Sequence, residues 1–438
     1  MRLRRTVKIC RLMSIMETQT TKHAVELLAP AGSYESLHAA INAGCDAIYF
    51  GVQGFNMRAR SAAQLTRDDI KEIADICHEK NIKCYLALNT LVYDKNMEEM
   101  EKTIDAVKEA GVDAVIAFDL STIAYAKSQG VEVHISTQHS ISNIEAVRLF
   151  SAWADRMVLA RELTLEQIQT IIQEIKVQDI RGPKGRLVEI EIFIHGAMCV
   201  AVSGRCGMSL YMYNTSANCG SCSQPCRRDF TVTDKSTGKQ LDIENEYVMS
   251  TEDLCTIGML DEIVKSGAVS LKVEGRGRPP EYVDVVIKAY REALESIDDG
   301  SYSEDKIKTW NDKLGTVFNR GLSEGFYRGK AFSYWSNGAN SKATMKKIFV
   351  GKVVNFYPKL SVAEIAVQAD PFVLGTEAVI VGKATGFMRT TPEEIWLDEV
   401  CIQEAVQGNV ITIKVPSRVR VGDSFYKIIS AQRGGDSK

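Results

Sequence analysis

The 438-residue sequence lacks any apolar run close to the roughly 20 residues that a membrane-spanning helix needs. Its first residues, MRLRRTVKICRLMSIMETQTTKH, are partly basic but have neither the apolar stretch of about 7–15 residues nor the small-residue cleavage site of a secretory signal. We therefore predict a cytoplasmic protein with no membrane partner. Residues 1–22 are predicted to form a disordered N-terminal extension.

A large excess of charge is also absent, since 53 Lys and Arg against 56 Asp and Glu give a net charge of −3. This balance excludes a protein that is basic over its whole surface, although local cationic patches remain compatible with it. The sequence contains no HExxH, no GxSxG and no GxGxxG after its first predicted strand. It therefore offers no support for a zincin protease, a serine hydrolase of that type or a dinucleotide-binding fold.

What the sequence does contain is a regular alternation of short β-rich apolar runs and helical segments over residues 25–298. Eight runs read as strands: VELLAP, CDAIYFG, IKCYLALNT, VDAVIAFD, VEVHIST, DRMVLAREL, RLVEIEIFIHGAMC and AVSLKVEG. Eight strand–helix units over about 250 residues predict an α/β fold of the TIM-type (β/α)8 barrel class. An open doubly wound sheet is the alternative.

The domain organisation follows from a change of pattern near residue 345. We predict a (β/α)8-barrel catalytic domain over 23–335, with a cysteine-rich insertion after its seventh strand. From KKIFVGKVVNFYP onward the sequence has only short β runs, which predict a small C-terminal all-β barrel domain over 345–438.

Five of the 11 cysteines lie between Cys199 and Cys226, and Cys255 follows at the predicted start of the next helix. In a reducing cytoplasm such a cluster is more typical of a metal or catalytic site than of disulfides. The spacing is compatible with zinc or with a 4Fe–4S cluster and does not separate them. A cysteine nucleophile paired with His195 is a further alternative.

Function in a (β/α)8 barrel gathers at the C-terminal ends of the strands, where this sequence places many polar residues. The candidate catalytic residues are His139, Glu191, His195 and Glu274. The candidate substrate-binding residues are Asn56, Arg58, Arg60, Arg161, Arg276 and Arg278. Guanidinium groups pair bidentately with carboxylates and phosphates, so these arginines suit an anionic ligand. Taken singly, each residue could equally be a turn or helix-cap residue.

The segment EIFIHGAMCVAVSGRCGMSL, followed by CSQPCRRDF, resembles the signature of the collagenase-like peptidase family U32. Supporting matches are ELLAPAGSYESLHAAINAGCDAIYFG, STEDLC, LKVEGR and VFNRGLSEGFYRG. The family name records a protease activity without an assigned mechanism. Its better-understood members are oxygen-independent hydroxylation proteins that carry an iron–sulfur cluster and act on tRNA, on ribosomal RNA or in ubiquinone synthesis.

The length, the CSQPCRR form and the C-terminal β domain are most similar to the branch that forms 5-hydroxyuridine at the tRNA wobble position. The resemblance implies tRNA and prephenate, or a similar carboxylate, as partners, and favours a 4Fe–4S cluster over zinc. It implies Cys199, Cys206, Cys222 and Cys255 as ligands, with Cys226 or Cys219 as alternates. Two other functions stay open, a collagenase-like peptidase and a zinc-stapled RNA-binding scaffold without catalysis.

Overall fold

The computed structural model describes residues 25–57, 65–240, 247, 249–329, 335–336, 338 and 341–431. The predicted N-terminal extension, 1–22, and two predicted substrate-binding residues, Arg58 and Arg60, lie outside the described residues. No described helix has the combination of length and apolar character that crossing a lipid bilayer demands.

Eight parallel strands close into a barrel, which confirms the predicted fold class. Seven of them are β1 (Glu26–Ala31), β2 (Ala47–Phe50), β3 (Lys83–Leu88), β4 (Ala114–Ala117), β5 (Val133–Ile135), β6 (Arg156–Val158) and β7 (Glu189–Ala197). After a short strand outside the barrel, β8 (Asp253–Cys255), the eighth barrel strand is β9 (Ser270–Val273). It pairs with both β1 and β7 and so closes the ring.

Most of the helices surround the barrel and bury one apolar face, whereas the short helix over 208–213 lies in the cysteine-rich insertion and is largely exposed. The helices are α1 (Tyr34–Asn42), α2 (Asp69–His78), α3 (Met97–Ala110), α4 (Leu120–Ser128), α5 (Ile144–Ser151), α6 (Leu165–Val177), α7 (Met208–Tyr213), α8 (Leu260–Lys265), α9 (Pro280–Asp298) and α10 (Glu304–Gly315). Their ends follow from local sequence. In α6, for example, Thr164 and Gln167 form a capping box at the start.

The chain between β7 and β9 differs from the prediction. STEDLC was expected to begin a helix, but Asp253–Cys255 forms β8, which pairs antiparallel with the end of β7 and places Cys255 opposite His195. The helix α8 begins only at Leu260. A two-residue strand, β10 (Leu322–Ser323), then pairs with β8. A three-residue strand carries too little periodicity to be distinguished from a helix start.

The C-terminal region is an antiparallel all-β domain, as predicted. Its strands are β11 (Met345–Tyr357), β12 (Val362–Val367), β13 (Phe372–Val373), β14 (Ala378–Gly382), β15 (Gly386–Thr390), β16 (Trp396–Leu397), β17 (Val400–Cys401), β18 (Glu404–Ala405), β19 (Val410–Lys414) and β20 (Ser424–Ser430). Eight form one sheet, while β13 and β18 form a second. The domain has its own apolar core around residues such as Val350, Ile380 and Phe425.

Candidate active site

A cavity of ≈ 410 Å³ opens at the C-terminal ends of the barrel strands. Its walls come from many strand ends, including Tyr49 of β2, Asn89 after β3, Gln138 after β5, Arg161 after β6 and Glu274 after β9. The cysteine-rich insertion covers one side of it. The barrel therefore brings residues that are distant in sequence to one site, at the face where this fold carries its chemistry.

Four cysteines line this cavity: Cys199, Cys206, Cys222 and Cys226. Cys199 lies two residues beyond the end of β7, and the other three lie in the loop and short helical turns that follow. Burial raises the pKa of the Cys199 and Cys226 thiols. The cavity thus presents a set of four thiols from one continuous stretch of chain.

The ligand set that the resemblance implied is only partly brought together. Cys255 is not among the cavity-lining residues. Its Sγ lies 4.0 Å from the Tyr290 hydroxyl and 3.9 Å from Asn311 Oδ1, and burial raises its pKa to about 11. The structure therefore places Cys226, the predicted alternate, in the position of a fourth cavity thiol. A metal-binding role for any of these cysteines stays a prediction.

The spacing of the four thiols bears on the choice of metal. Metal sites bring three or more His, Cys, Asp or Glu donor atoms close together. Among the described residues, the group whose donor atoms all lie within 4.8 Å of one another is His78, Cys84 and Asp113, at the opposite end of the barrel. No three of the four cavity sulfurs therefore lie within 4.8 Å of one another. A single tetrahedral zinc with Zn–S bonds of about 2.3 Å needs sulfurs roughly 3.8 Å apart.

Partly buried hydrogen bonds hold the thiol loop against the barrel. Glu162 accepts hydrogen bonds from the Ser203 backbone N–H at 2.8 Å and from its hydroxyl at 3.2 Å. Arg227 donates to the carbonyls of Met198 and Thr251, each at 2.5 Å. The loop is thus fixed to β6 on one side and to β7 and β8 on the other.

The cavity is strongly cationic. Its lining includes six basic side chains: Arg161, Arg227, Lys272, Arg276, Arg278 and Arg320. Among the described residues that line it, Glu274 is the carboxylate. Six guanidinium and ammonium groups around one enclosed space favour an anionic ligand, and planar guanidiniums suit carboxylate or phosphate in particular.

Five of these six cations lie over aromatic rings, all except Arg227. The Arg161 guanidinium lies 3.6 Å from the centroid of the Phe193 ring, and its Nη1 donates to Ala197 O at 2.7 Å. Lys272 Nζ lies 4.3 Å from the Tyr49 ring centroid and donates to Glu191 Oε1 at 2.8 Å. Lys272 thereby forms part of the cavity floor, and burial lowers its pKa despite the ion pair.

The arginines after β9 are held by neighbours behind the cavity wall. Arg276 Nη1 donates to Asn56 Oδ1 at 3.2 Å, so Asn56 positions Arg276 and is not itself part of the lining. Arg278 stacks on Phe318 at 3.6 Å. Arg320 Nη1 is 3.5 Å from Asp253 Oδ1. These contacts fix the direction of each guanidinium.

Three predicted catalytic residues lie outside the cavity lining. His195 packs among α9 residues, with Nδ1 3.4 Å from the Tyr290 hydroxyl, and burial and Arg278 lower its pKa to about 3. A bulge between Phe193 and His195 in the β7–β9 pairing turns its side chain to the helical layer. His139 Nε2 donates to Phe118 O at 2.6 Å, and Glu191 pairs with Lys272 below the floor.

Sequence reasoning did not predict Arg227, Lys272 or Arg320 as cavity residues. Lys272 could have been found, because it is a charged residue in an otherwise apolar barrel strand, LKV. Arg320 lies in a long connection after α10, and no strand-end argument points to it. It comes to the cavity through its ion pair with Asp253 of β8.

Fold and site together define a (β/α)8-barrel enzyme with a thiol-rich, cationic mouth. Residues 32–337 match the model of peptidase family U32. The chain is 46% identical over 402 residues to a collagenase of Porphyromonas gingivalis, covering 92% of this chain and 97% of that protein. It is 32% identical to tRNA hydroxylation protein P1 of Bacillus subtilis, covering 85% and 86%. The chain therefore belongs to peptidase family U32.

A third relative acts on a different RNA. The chain is 31% identical to the 23S rRNA 5-hydroxycytidine synthase of Escherichia coli, with 85% of this chain and 55% of that protein covered. Relatives of this chain thus carry names for both proteolysis and RNA hydroxylation.

Proposed function

We propose that this protein is an iron–sulfur-dependent, oxygen-independent RNA hydroxylation protein that forms 5-hydroxyuridine at the tRNA wobble position. The observation that carries the proposal is the joint lining of one cavity by four thiols and six basic side chains. The thiols suit a redox-active metal cluster, and the cations suit RNA phosphate and a carboxylate co-substrate such as prephenate. The names of the tRNA and rRNA relatives support the same activity.

In this proposal Cys199, Cys206, Cys222 and Cys226 hold a 4Fe–4S cluster. The joint lining of one cavity by four thiols supports the assignment, since each iron of such a cluster binds one thiolate. When bound, the cluster would supply electron-transfer or Lewis-acid chemistry at the cavity wall.

The chain's own residues would bind and orient the substrates. Arg276 and Arg278, held by Asn56 and Phe318, present guanidiniums to a carboxylate or phosphate. Glu274 lies where it can hold or move a proton, with its Oε2 3.3 Å from the Tyr49 hydroxyl and 4.0 Å from Arg161. Phe193 and Tyr49 cover the floor and exclude water from Lys272.

Anaerobic purification tests the cluster. We expect a brown protein with iron and acid-labile sulfide in a ratio near one and absorption at roughly 400 nm. Cys226→Ser should lose most of the iron, whereas Cys255→Ser and Cys219→Ser should retain it. A colourless protein with stoichiometric zinc would instead support a zinc-stapled scaffold. Iron loss in Cys255→Ser but not in Cys226→Ser would support Cys255, rather than Cys226, as the fourth ligand.

The activity is tested in a strain lacking the gene. Nucleoside analysis of its tRNA should show loss of 5-hydroxyuridine, restored by the wild-type gene and not by Arg276→Met. Unchanged tRNA nucleosides would reject the proposed substrate.

A peptidase is the second candidate, favoured by the collagenase name of a relative at 46% identity. The structure offers it little support, because His195 and His139 face Tyr290 and Phe118 rather than the cavity thiols. Hydrolysis of gelatin by protein free of metal and contaminants, abolished by Cys199→Ala, would establish it.

A further inference from the structure

The helix α7, in the middle of the thiol-rich insertion, exposes four large apolar residues in succession. Leu210, Tyr211, Met212 and Tyr213 are 47%, 90%, 47% and 36% exposed. Single exposed apolar residues are ordinary on a protein surface, but a consecutive run of four is not. We call these four residues, together with Tyr93, the aromatic rim.

The aromatic rim borders the cavity. Met208 and Ser209, the first residues of α7, are part of the cavity lining. The Tyr211 ring lies against Gly207, where a Cβ would meet Tyr211 Cε2 at 2.9 Å. One edge of this ring is therefore supported by backbone, and most of the ring stays open to solvent.

The rim continues across the mouth to the segment after β3. Tyr93 is 57% exposed, and its hydroxyl is 3.8 Å from Cys219 Sγ. Here a second, open depression of ≈ 500 Å³ is lined by Leu91, Tyr93 and Cys219 among others. Because Ala217 and Gly220 line the first cavity, the same turn separates the two depressions. The mouth thus offers two adjacent recesses with aromatic residues between and beside them.

The charges near the rim are complementary to a polyanion. Arg228 lies 5.1 Å from the Tyr213 ring centroid, and Arg205 is exposed. The cavity beside them carries the six basic side chains described above. Exposed aromatic faces interleaved with arginines are how proteins bind unpaired nucleotides, since bases stack on the rings and phosphates pair with the cations.

We propose that the aromatic rim is the docking surface for a single-stranded RNA loop, with Tyr211 stacking on an unpaired base next to the one that enters the cavity. A base must leave its stack to reach a buried site, and a ring at the mouth replaces part of the stacking that is lost. This inference rests on the proposed function, because it takes RNA as the substrate.

The test compares the binding of two RNAs to the full-length protein, a hairpin with a seven-nucleotide loop and a blunt duplex of the same stem sequence. Fluorescence anisotropy should show tighter binding of the hairpin. Tyr211→Ala should weaken hairpin binding roughly 5- to 150-fold, which is the range for loss of one base–aromatic stack. Tyr211→Phe, which keeps the ring, should stay within about twofold of wild type.

Tyr357→Ala is the matched control, since Tyr357 is an exposed tyrosine of the C-terminal domain. It should leave hairpin binding unchanged. If the wild-type protein binds the hairpin and Tyr211→Ala binds it equally well, the docking inference is wrong while the proposed function stands. If wild-type protein binds no RNA, the proposed function itself fails. If Tyr211→Ala loses binding of a gelatin peptide and not of RNA, the rim is a peptide surface and the inference is overturned.

Discussion

At the scale of single residues, breaking the buried ion pair of Lys272 and Glu191 is expected to lower the free energy of unfolding strongly. Glu191 is fully buried, and its Oε1 accepts from Lys272 Nζ at 2.8 Å. Its other oxygen has no hydrogen bond among the described residues and lies 3.8 Å from Arg156. Removing the Lys272 ammonium group therefore leaves the buried Glu191 carboxylate with too few interactions to replace its lost hydration.

We expect Lys272→Met to reduce the free energy of unfolding by about 3–5 kcal/mol, measured by urea denaturation. The double variant Lys272→Met/Glu191→Gln should recover part of this loss, because the unpaired buried charge is then gone. Equal stability of the single and double variants would show that the unpaired Glu191 charge is not what destabilises Lys272→Met, and adding Glu191→Gln alone completes the cycle that measures the coupling.

His134 on β5 gives a pH-dependent prediction. Burial, with Arg156 nearby, lowers its pKa, so the folded protein keeps it neutral while the unfolded chain protonates it near pH 6.5. The unfolded state then binds more protons, and stability falls as the pH drops below that value. We expect wild type to lose up to about 1.4 kcal/mol more per pH unit below 6.5 than His134→Gln, in urea titrations at several pH values. Parallel curves for the two proteins would contradict this.

The residue scale is also where prediction from sequence was least complete. Strand-end reasoning found Arg161, Glu274 and Arg276, because the ends of parallel strands meet at one face. It placed His195 there too, since it could not detect the bulge that turns this side chain outward. A bulge depends on pairing with β9, and one strand's own periodicity does not reveal it.

At the scale of elements, the two domains meet where β15 packs on α1 and α9. Gly386 begins β15 with φ +72°, and a Cβ there would meet His38 Cβ of α1 at 2.7 Å. Glycine is required both by the backbone conformation and by the close approach of the helix. The eight strand–helix units were predictable from periodicity, but this contact was not, because it joins segments about 350 residues apart.

We expect Gly386→Ala to lower stability by roughly 1–3 kcal/mol more than Gly375→Ala, because only the former adds overpacking against the helix. Gly375 is the control, since it has φ +78° and, apart from its chain neighbours, no heavy atom of the described residues lies within 4 Å of its Cβ position. Thermal unfolding of both variants measures the difference. An equal loss would mean that backbone conformation alone makes glycine necessary at both sites.

At the scale of the whole molecule, charge is unevenly distributed. The chain has a net charge of −3, yet its cavity lining holds six basic groups and one carboxylate. Composition alone excluded a globally basic protein and could not locate this patch, since the strands and loops that form it are scattered along the chain. The closure of the barrel brings these basic residues together in one cavity lining.

RNA affinity should therefore depend on salt despite the negative net charge. If three to five of these cations contact phosphates, a plot of log Kobs against log salt should have a slope of about −2 to −3.5 for a single strand. Arg278→Met should make the slope shallower by about 0.7, whereas Lys71→Met, at an exposed position on α2, should not change it. A slope of zero for wild type would remove the electrostatic basis for RNA binding.

The antiparallel pairing of β8 with β7 has a consequence for how the site could change over evolution. The chain leaves the barrel at the end of β7 and returns beside the same strand, with Ala197 opposite Asp253. Both ends of the excursion over 198–252 are thus fixed next to each other, and lengthening a loop between fixed ends costs little free energy. The pairing therefore sets little limit on the length of the thiol-bearing segment, so insertions within it should be tolerated with little loss of barrel stability.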